Sequence, residues 1–307
     1  ARHLVAQAVL TAAVLGAALF EAVRPESRIV EDLKVGAPLA LAAAFVLLSA
    51  LLAASLRDLR RLFGSVSKRQ WLAAAAVAAL AFGLAFGLAP RTHRIYYDET
   101  IYLHIGQSIA ATGKAQMVNF GEIRDGRLVV EAGEYNKQPN AWPFLLSLVY
   151  RIAGPGEPVS FLVNNLVFAA GAFLVFLLGL LLFEEFRIGL AAAAAYAVIP
   201  QNILWHNTTA AEPAGATAIL LAVFLARAAA RTGKPKLVVL AFVSAAFAAQ
   251  FRMESILVFP LIALYLLIEG RPALRDPKSF YAVPLTLLLL LPHVLHLYCF
   301  LGHPWGA

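Results

Sequence analysis

Charge and cysteine are what this sequence has least of. Only 14% of its 307 residues are charged, 61% are hydrophobic, and the mean hydropathy is +0.75. A soluble domain carries about 25% charged residues, so this much apolar surface needs lipid around it. The single cysteine, Cys299, excludes an intrachain disulfide and argues against a cysteine-based metal site. The composition therefore predicts an all-α, polytopic bundle of membrane helices.

Three further absences narrow the class of protein. The net charge is +7, but outside short loops no run of Lys and Arg is interleaved with aromatic residues, which argues against nucleic acid as a partner. The apolar run 4–20 has no clear cleavage site after it and further spans follow, so we interpret it as a retained helix and not as a signal peptide. No internal repeat is visible. The chain starts without Met and ends soon after a span, so we expect a piece of a longer protein.

Apolar segments supply the candidate membrane spans, because crossing the hydrocarbon takes roughly 20 residues of helix. We predict nine spans, at residues 4–22, 36–56, 71–89, 160–183, 189–204, 212–230, 237–251, 255–268 and 280–300.

The basic loops predict the orientation of these spans. Loops 57–70, 231–236 and 269–279 are rich in Lys and Arg, and the positive-inside rule places such loops in the cytoplasm. With nine spans in the predicted positions, all three basic loops lie on the same side of the membrane. The N-terminus is then cytoplasmic. The segments predicted to lie outside are 23–35, 90–159, 205–211 and 252–254.

The outer loop 90–159 is predicted to be structured. Residues 98–112 have an apolar stripe at helical spacing, which predicts a helix on the membrane surface. Asp125-Gly126 between extended runs predicts a small hairpin. Residues 140–154 are too short to span and predict a second interfacial helix.

Charged side chains on the predicted outer face are the candidate site residues. An ionisable residue near membrane depth is costly there, so it is a functional hypothesis by default. The candidates are the pair Asp98-Glu99 with Tyr97, Tyr102 and His104 around it, Lys137 in "YNKQPNAWP", Glu212 in "WHNTTAAEP", and Arg252 with Glu254 in "FRMES". Carboxylates with cations suit a site that binds a phosphate and takes a proton from an acceptor.

Plainer interpretations stay open for each of these residues. Charged residues beside span ends are commonly solvated loop residues, and Asp98 has the place of a helix cap. His104 and His206 fit interfacial histidines, and His293 and His296 fit polar contacts within the bundle. Composition and spacing alone predict a membrane protein with an outward-facing polar cavity.

The order of motifs adds a resemblance. A span, "YYDETIYLHIGQSIAATG", a loop and "NKQPNAWPFLLSLVYRIAG", followed by "TTAAEPAGATAILLAVFLARAA" and "FRMESILVFPLIALYLL", is similar to the C-type membrane glycosyltransferases. It most resembles the bacterial branch of the protein O-mannosyltransferase and lipid A aminoarabinose transferase families, over residues 71–270. Relative to that pattern, residues 1–70 are two accessory transmembrane helices and 71–307 the core, from which we expect a distal C-terminal part to be missing.

The resemblance implies a transferase of EC class 2.4 in the bacterial inner membrane, moving a sugar from a polyprenyl-phosphate donor to an acceptor on the outer face. By motif position, Asp98 corresponds to the catalytic acidic residue, Glu99 to its partner and Glu212 to the second acidic residue. Lys137 corresponds to the residue that binds the donor phosphate, with Arg252 assisting. The predicted substrate contacts are Tyr97, Tyr102, His206 and Glu254.

The sequence departs from the family pattern after Lys137. The family usually has Pro-Pro there, where this chain has Gln138-Pro139-Asn140. No Asp-x-Asp pair of the kind that holds a divalent cation in oligosaccharyltransferase-like relatives occurs, and hard cations want several oxygen ligands. We therefore predict no metal and no cofactor. A flippase for lipid-linked sugars and a non-catalytic membrane subunit are the alternatives. The interiors of the spans are almost free of charge, which favours the enzyme over a transporter.

Overall fold

A computed structural model describes residues 2–136 and 138–300 of the chain. In chain order the elements are first α1 (Arg2–Ala22), α2 (Glu26–Leu62), α3 (Lys68–Gly87), α4 (Tyr96–Thr112), β1 (Met117–Arg124), β2 (Arg127–Glu134) and α5 (Ala141–Ala153). They are followed by α6 (Glu157–Phe183), α7 (Phe186–Val198), α8 (Pro200–Trp205), α9 (Glu212–Thr232), α10 (Pro235–Ala248), α11 (Val258–Glu269), α12 (Arg271–Leu274) and α13 (Ala282–Phe300). Short 3₁₀ turns occupy Met253–Leu257 and Pro277–Tyr281.

Each of the nine predicted spans contains a helix. Helices long and apolar enough to cross a membrane, judged by length and composition, are α1, α2, α3, α6, α9 and the segment Pro277–Phe300 that ends in α13. The helices at the other three positions are shorter, with 13 residues in α7, 14 in α10 and 12 in α11. The predicted all-α polytopic fold is confirmed, while its division at residue 70 stays a prediction.

Helix α2 begins ten residues earlier than its apolar run predicts. The charged residues in its first turns made segment 23–35 look like a loop, yet that segment is helical from Glu26 onward. Ile29 and Leu33 are buried in one cluster with Ile101 and Ile105 of α4. The same cluster includes Cys299 of α13, so α4 and α13 together supply the apolar environment that this stretch lacks by itself.

The helices run between two ends of the bundle, which we name by what they carry. The hairpin end carries α4, β1, β2, α5 and the segment 205–211. The basic end carries the connections after α2, α6, α9 and α11. Ion pairs join the connections of the basic end: Lys236 contacts Asp58 at 2.6 Å, and Arg231 pairs with Glu184.

The predicted hairpin is confirmed and is longer than its sequence signal. Strands β1 and β2 pair antiparallel, with Arg124 opposite Arg127. Asp125 and Gly126 form the turn with φ of 51° and 73°. A two-residue hairpin turn of this hand needs positive φ at both positions, which Asp tolerates and Gly adopts freely.

Helices α4 and α5 both form where predicted, but protein covers the apolar stripe of α4. Ile101, Tyr102, Ile105 and Ile109 are each at most 2% exposed. They pack against α2, α5 and α13, so the stripe faces these helices and not the membrane surface predicted for it. Gly106 makes the close approach to α5 possible, because a Cβ there would lie 3.2 Å from the Leu146 Cβ.

Candidate functional site

A chain of hydrogen bonds at the hairpin end joins side chains from three segments: helix α4, the residues just before α5 and the turn after α10. Gln138 Nε2 donates to Asp98 Oδ1 at 2.8 Å, and Tyr102 donates its hydroxyl proton to Gln138 Oε1 at 3.3 Å. Arg252 Nη1 in turn donates to the Tyr102 hydroxyl oxygen at 3.4 Å. Because burial raises the pKa of Tyr102, its hydroxyl keeps the proton that it donates. Residues 98, 102, 138 and 252 therefore belong to one connected site.

Arg252 is the cation at the centre of this site. Its Nη1 lies 3.0 Å from Glu212 Oε1, and its Nε lies 3.1 Å from Glu254 Oε1. Burial by itself lowers the pKa of Arg252, but the adjacent Glu212 carboxylate holds that pKa above its usual value, so the guanidinium stays charged. Two carboxylates thus fix the orientation of one guanidinium.

Glu212 reaches the site from the first turn of α9. Its side chain is 28% exposed, and only one of its oxygens contacts Arg252. Within residues 2–136 and 138–300, the other oxygen, Oε2, is buried and has no hydrogen-bond partner. A buried acceptor without a donor is costly, which favours a polar group of a substrate at this position.

Glu99 differs from its neighbour Asp98 in both burial and contacts. Its side chain is fully buried, and Oε1 accepts hydrogen bonds from the backbone amides of Arg94 (2.6 Å) and Ile95 (2.9 Å). Oε2 accepts from the amide and hydroxyl of Thr209 at 2.8 and 2.9 Å and lies 3.0 Å from His93 Nδ1. Burial raises the pKa of this carboxyl, but the amide and hydroxyl donors outweigh burial and hold the pKa below its usual value.

Segment 205–211 is a buried connection that side chains from other helices hold in place. Asn164 Nδ2 donates to the carbonyls of Thr208 and Ala210, and Asn165 Nδ2 donates to the carbonyl of His206. Trp142 Nε1 donates to the carbonyl of Thr209. A buried loop needs such donors for its backbone carbonyls. None of these residues was among the predicted site residues, although the adjacent pair Asn164-Asn165 inside an apolar span is a signal visible in the sequence.

The remaining predicted site residues have different surroundings. Tyr97 is 66% exposed, and Glu254 contacts Arg252 from an exposed position. His206 is buried, its Nδ1 donates to the Asn202 carbonyl, and its ring stacks on Phe168 at 4.3 Å. Burial lowers the pKa of His206 to about 4, so the ring is neutral at physiological pH. Its contacts are those of a core histidine, separate from the chain of bonds around Arg252.

Lys137 lies outside the described residues, between Asn136 and the site residue Gln138. Among the residues that the structure describes, no three His, Cys, Asp or Glu side chains come together as a metal site would require. Metal independence stays a prediction.

Replacing Glu99 by Gln tests whether this carboxylate positions the site. The groups around the Glu99 carboxylate are hydrogen-bond donors, and the NH₂ group of Gln cannot accept from them. Glu99→Gln is therefore expected to lower the unfolding free energy by about 2–3 kcal/mol at pH 7. The folded-state pKa is lowered, so the stabilisation is present above the unfolded carboxyl pKa of about 4.3 and is lost as pH falls through the folded-state value. Thermal unfolding of both proteins across this range measures the difference.

The exposed hairpin residue Glu131 supplies the control for that experiment. Glu131→Gln is expected to leave the melting temperature unchanged, because the Glu131 carboxylate is exposed and its ion pair with Arg124 lies on the surface. Equal melting temperatures for wild type and Glu99→Gln at pH 7 would contradict the positioning role.

A comparison with known protein families supports the resemblance for the second half of the chain. A family model described as dolichyl-phosphate-mannose-protein mannosyltransferase matches residues 137–296, just over half of the chain. This match confirms the resemblance inferred from the motifs. The matched region includes Glu212, Arg252 and Glu254, whereas Asp98 and Glu99 precede it. None of the curated proteins compared with the chain matches it.

Proposed function

Because the chain belongs to the dolichyl-phosphate-mannose-protein mannosyltransferase family, a multi-pass membrane group whose members use polyprenyl-phosphate-linked sugars, we propose that its hairpin end is the site of sugar transfer. The donor's prenyl chain stays in the bilayer while its phosphate and sugar reach the side chains around Arg252. The acceptor is a lipid, a glycan or a protein. We place the enzyme in the bacterial inner membrane with this site on the outer face.

The proposed reaction assigns one role to each residue. Asp98 takes the proton from the acceptor hydroxyl as the acceptor oxygen bonds to the anomeric carbon of the sugar. The bond between that carbon and the phosphate oxygen breaks, and the polyprenyl phosphate leaves with the bonding electrons. Arg252, with Lys137, stabilises the charge on the departing phosphate. Glu212 orients Arg252 and offers Oε2 to a donor group of the sugar, while Glu99 positions the neighbouring backbone.

The observation that carries this proposal is the connected set of bonds from Asp98 through Gln138 and Tyr102 to Arg252. A general base and a phosphate-binding cation act on one substrate only if they belong to one site.

Sugar transfer from defined donors tests the function. Membranes containing the protein are incubated with radiolabelled sugars on a set of polyprenyl phosphates, beside membranes without it. We expect labelled product, or slow release of free sugar, that depends on the donor and on the protein. If every donor gives background while labelled donor crosses the membrane in vesicles containing the protein, the flippase interpretation replaces the enzyme. Background in both assays would favour a non-catalytic subunit.

The orientation has its own test, which the single cysteine makes simple. In a Cys299→Ser background, Asp125→Cys places a thiol at the exposed hairpin turn, and Ser65→Cys places one at the exposed basic end. A membrane-impermeant maleimide is expected to label position 125 in intact spheroplasts and position 65 only after permeabilisation. The reverse pattern would contradict an outward-facing site, since the positive-inside rule is the basis of that orientation.

A further inference from the structure

Two adjoining cavities lie at the basic end of α2, far along the helix from the hairpin end. One is an apolar groove of about 700 Å³ between α2, α3, α6 and α9. The other, of about 870 Å³, lies against the last turns of α2 and the start of α10. Both are lined by Leu56 and Arg60. An apolar chain in the groove would therefore be continuous with a polar group in the second cavity.

Leucine and aromatic side chains form the walls of the groove. On the side of α2 it is lined by Leu52, Leu56, Leu59 and Phe63, and on the side of α6 by Phe173, Leu174 and Leu177. Trp71 of α3 closes it, with ring centroids 6.0 Å from Phe63 and 5.9 Å from Phe173. Apart from Arg60, this lining gives water few hydrogen-bond partners, so it suits a hydrocarbon chain.

The second cavity is cationic. Arg57, Arg60, Arg61 and Lys236 line it together with one acid, Asp58. Lys236 contacts the Asp58 carboxylate at 2.6 Å, whereas Arg57, Arg60 and Arg61 enter no ion pair within the part of the chain that the structure describes. Three guanidinium groups on neighbouring turns and one ammonium group thus face a single carboxylate, and an anion would balance the excess of positive charge.

We propose that this pair of cavities binds an anionic glycerophospholipid from the surrounding leaflet. The lipid phosphate contacts Arg57, Arg60 and Arg61, and one acyl chain lies in the groove between α2 and α6. Basic pockets between membrane helices are a known setting for anionic headgroups, and Arg matches phosphate geometry well. The bound lipid packs α2 against α6, where the groove otherwise separates them.

Native mass spectrometry of the purified full chain measures this binding directly. The protein in a neutral detergent is titrated with phosphatidylglycerol and, separately, with phosphatidylcholine of the same acyl chains. We expect one tightly bound phosphatidylglycerol and clear preference over phosphatidylcholine. Polyprenyl phosphate is the third ligand: preference for it over phosphatidylglycerol at this site would overturn the proposed occupant.

Charge variants then locate the bound lipid. The variant Arg57→Gln/Arg60→Gln/Arg61→Gln is expected to lose at least about tenfold in phosphatidylglycerol affinity, because each basic group near an anionic headgroup is worth roughly fivefold. The matched control Lys68→Gln/Arg69→Gln/Lys278→Gln removes three exposed cations from the same end, outside both cavities. Equal losses in the two triple variants would show unspecific surface charge and overturn the proposal.

Photocrosslinking of the unaltered protein tests the proposal without a variant, so it applies even if the triple variant fails to fold. A phosphatidylglycerol with a photoreactive group along its acyl chain is expected to label peptides that contain Trp71 or Leu177. Labelling spread over lipid-facing helices without enrichment in these peptides would contradict an acyl chain in the groove.

Discussion

Asp98→Asn is expected to lower the rate of sugar transfer by about 10²–10⁴-fold at saturating donor, the usual effect of removing a general base. Asn keeps the shape of the side chain and the oxygen that accepts from Gln138 Nε2 at 2.8 Å, so the bonds to Tyr102 and Arg252 remain. The loss therefore falls on the chemical step. Initial rates of product formation, measured together with donor binding to the same preparations, separate a loss in the chemical step from a loss of donor binding.

The helix-cap interpretation of Asp98 predicts the opposite pattern. Asp98 lies in the first turn of α4, where a negative charge interacts with the helix dipole by about 0.3–1 kcal/mol. If that were its whole role, Asp98→Asn would lower the melting temperature slightly and leave the transfer rate unchanged. Asp125→Asn is the matched control, because Asn also tolerates the positive φ of this exposed turn residue. It is expected to change neither quantity.

Local sequence signals predicted the helices and the hairpin because the cause of each element is local. Apolar runs form helices wherever lipid or protein covers them, and Asp125-Gly126 adopts the positive φ values of a two-residue turn. The early start of α2 was not predictable in this way. Ile29 and Leu33 are buried because residues far along the chain, in α4 and α13, form one apolar cluster with them.

In the candidate site, too, some features were predictable from the sequence and others depend on contacts between distant residues. The assignment of loops to one side predicted that Asp98, Glu212 and Arg252 lie on the same face, and their contacts lie at one end of the bundle. The motif pattern assigned Asp98 and Glu99 different roles, but the sequence did not show that they differ in burial. The difference comes from Thr209, whose amide and hydroxyl close over Glu99 from segment 205–211. Gln138 was likewise noticed only as a departure from a motif, yet it links Asp98 to Tyr102.

Arg252→Gln is expected to lower kcat/KM for the donor by about 10²–10³-fold, with a raised KM. The substitution removes the cation proposed to contact the donor phosphate and leaves the half-buried Glu212 carboxylate without its partner at 3.0 Å. A carboxylate left unpaired in this way also destabilises the fold, by an amount on the order of 3 kcal/mol. Transfer kinetics and thermal unfolding of the same variant report the two consequences separately.

Two further variants distinguish phosphate binding from neutralisation of Glu212. Glu254→Gln removes the exposed partner of Arg252 and is expected to change kcat/KM by less than about threefold, as for other surface ion pairs. In Arg252→Gln/Glu212→Gln the unpaired carboxylate is gone, so stability is expected to recover while transfer stays low. If the double variant recovers transfer as well, Arg252 serves only to balance Glu212, and the donor phosphate must be bound by another cation.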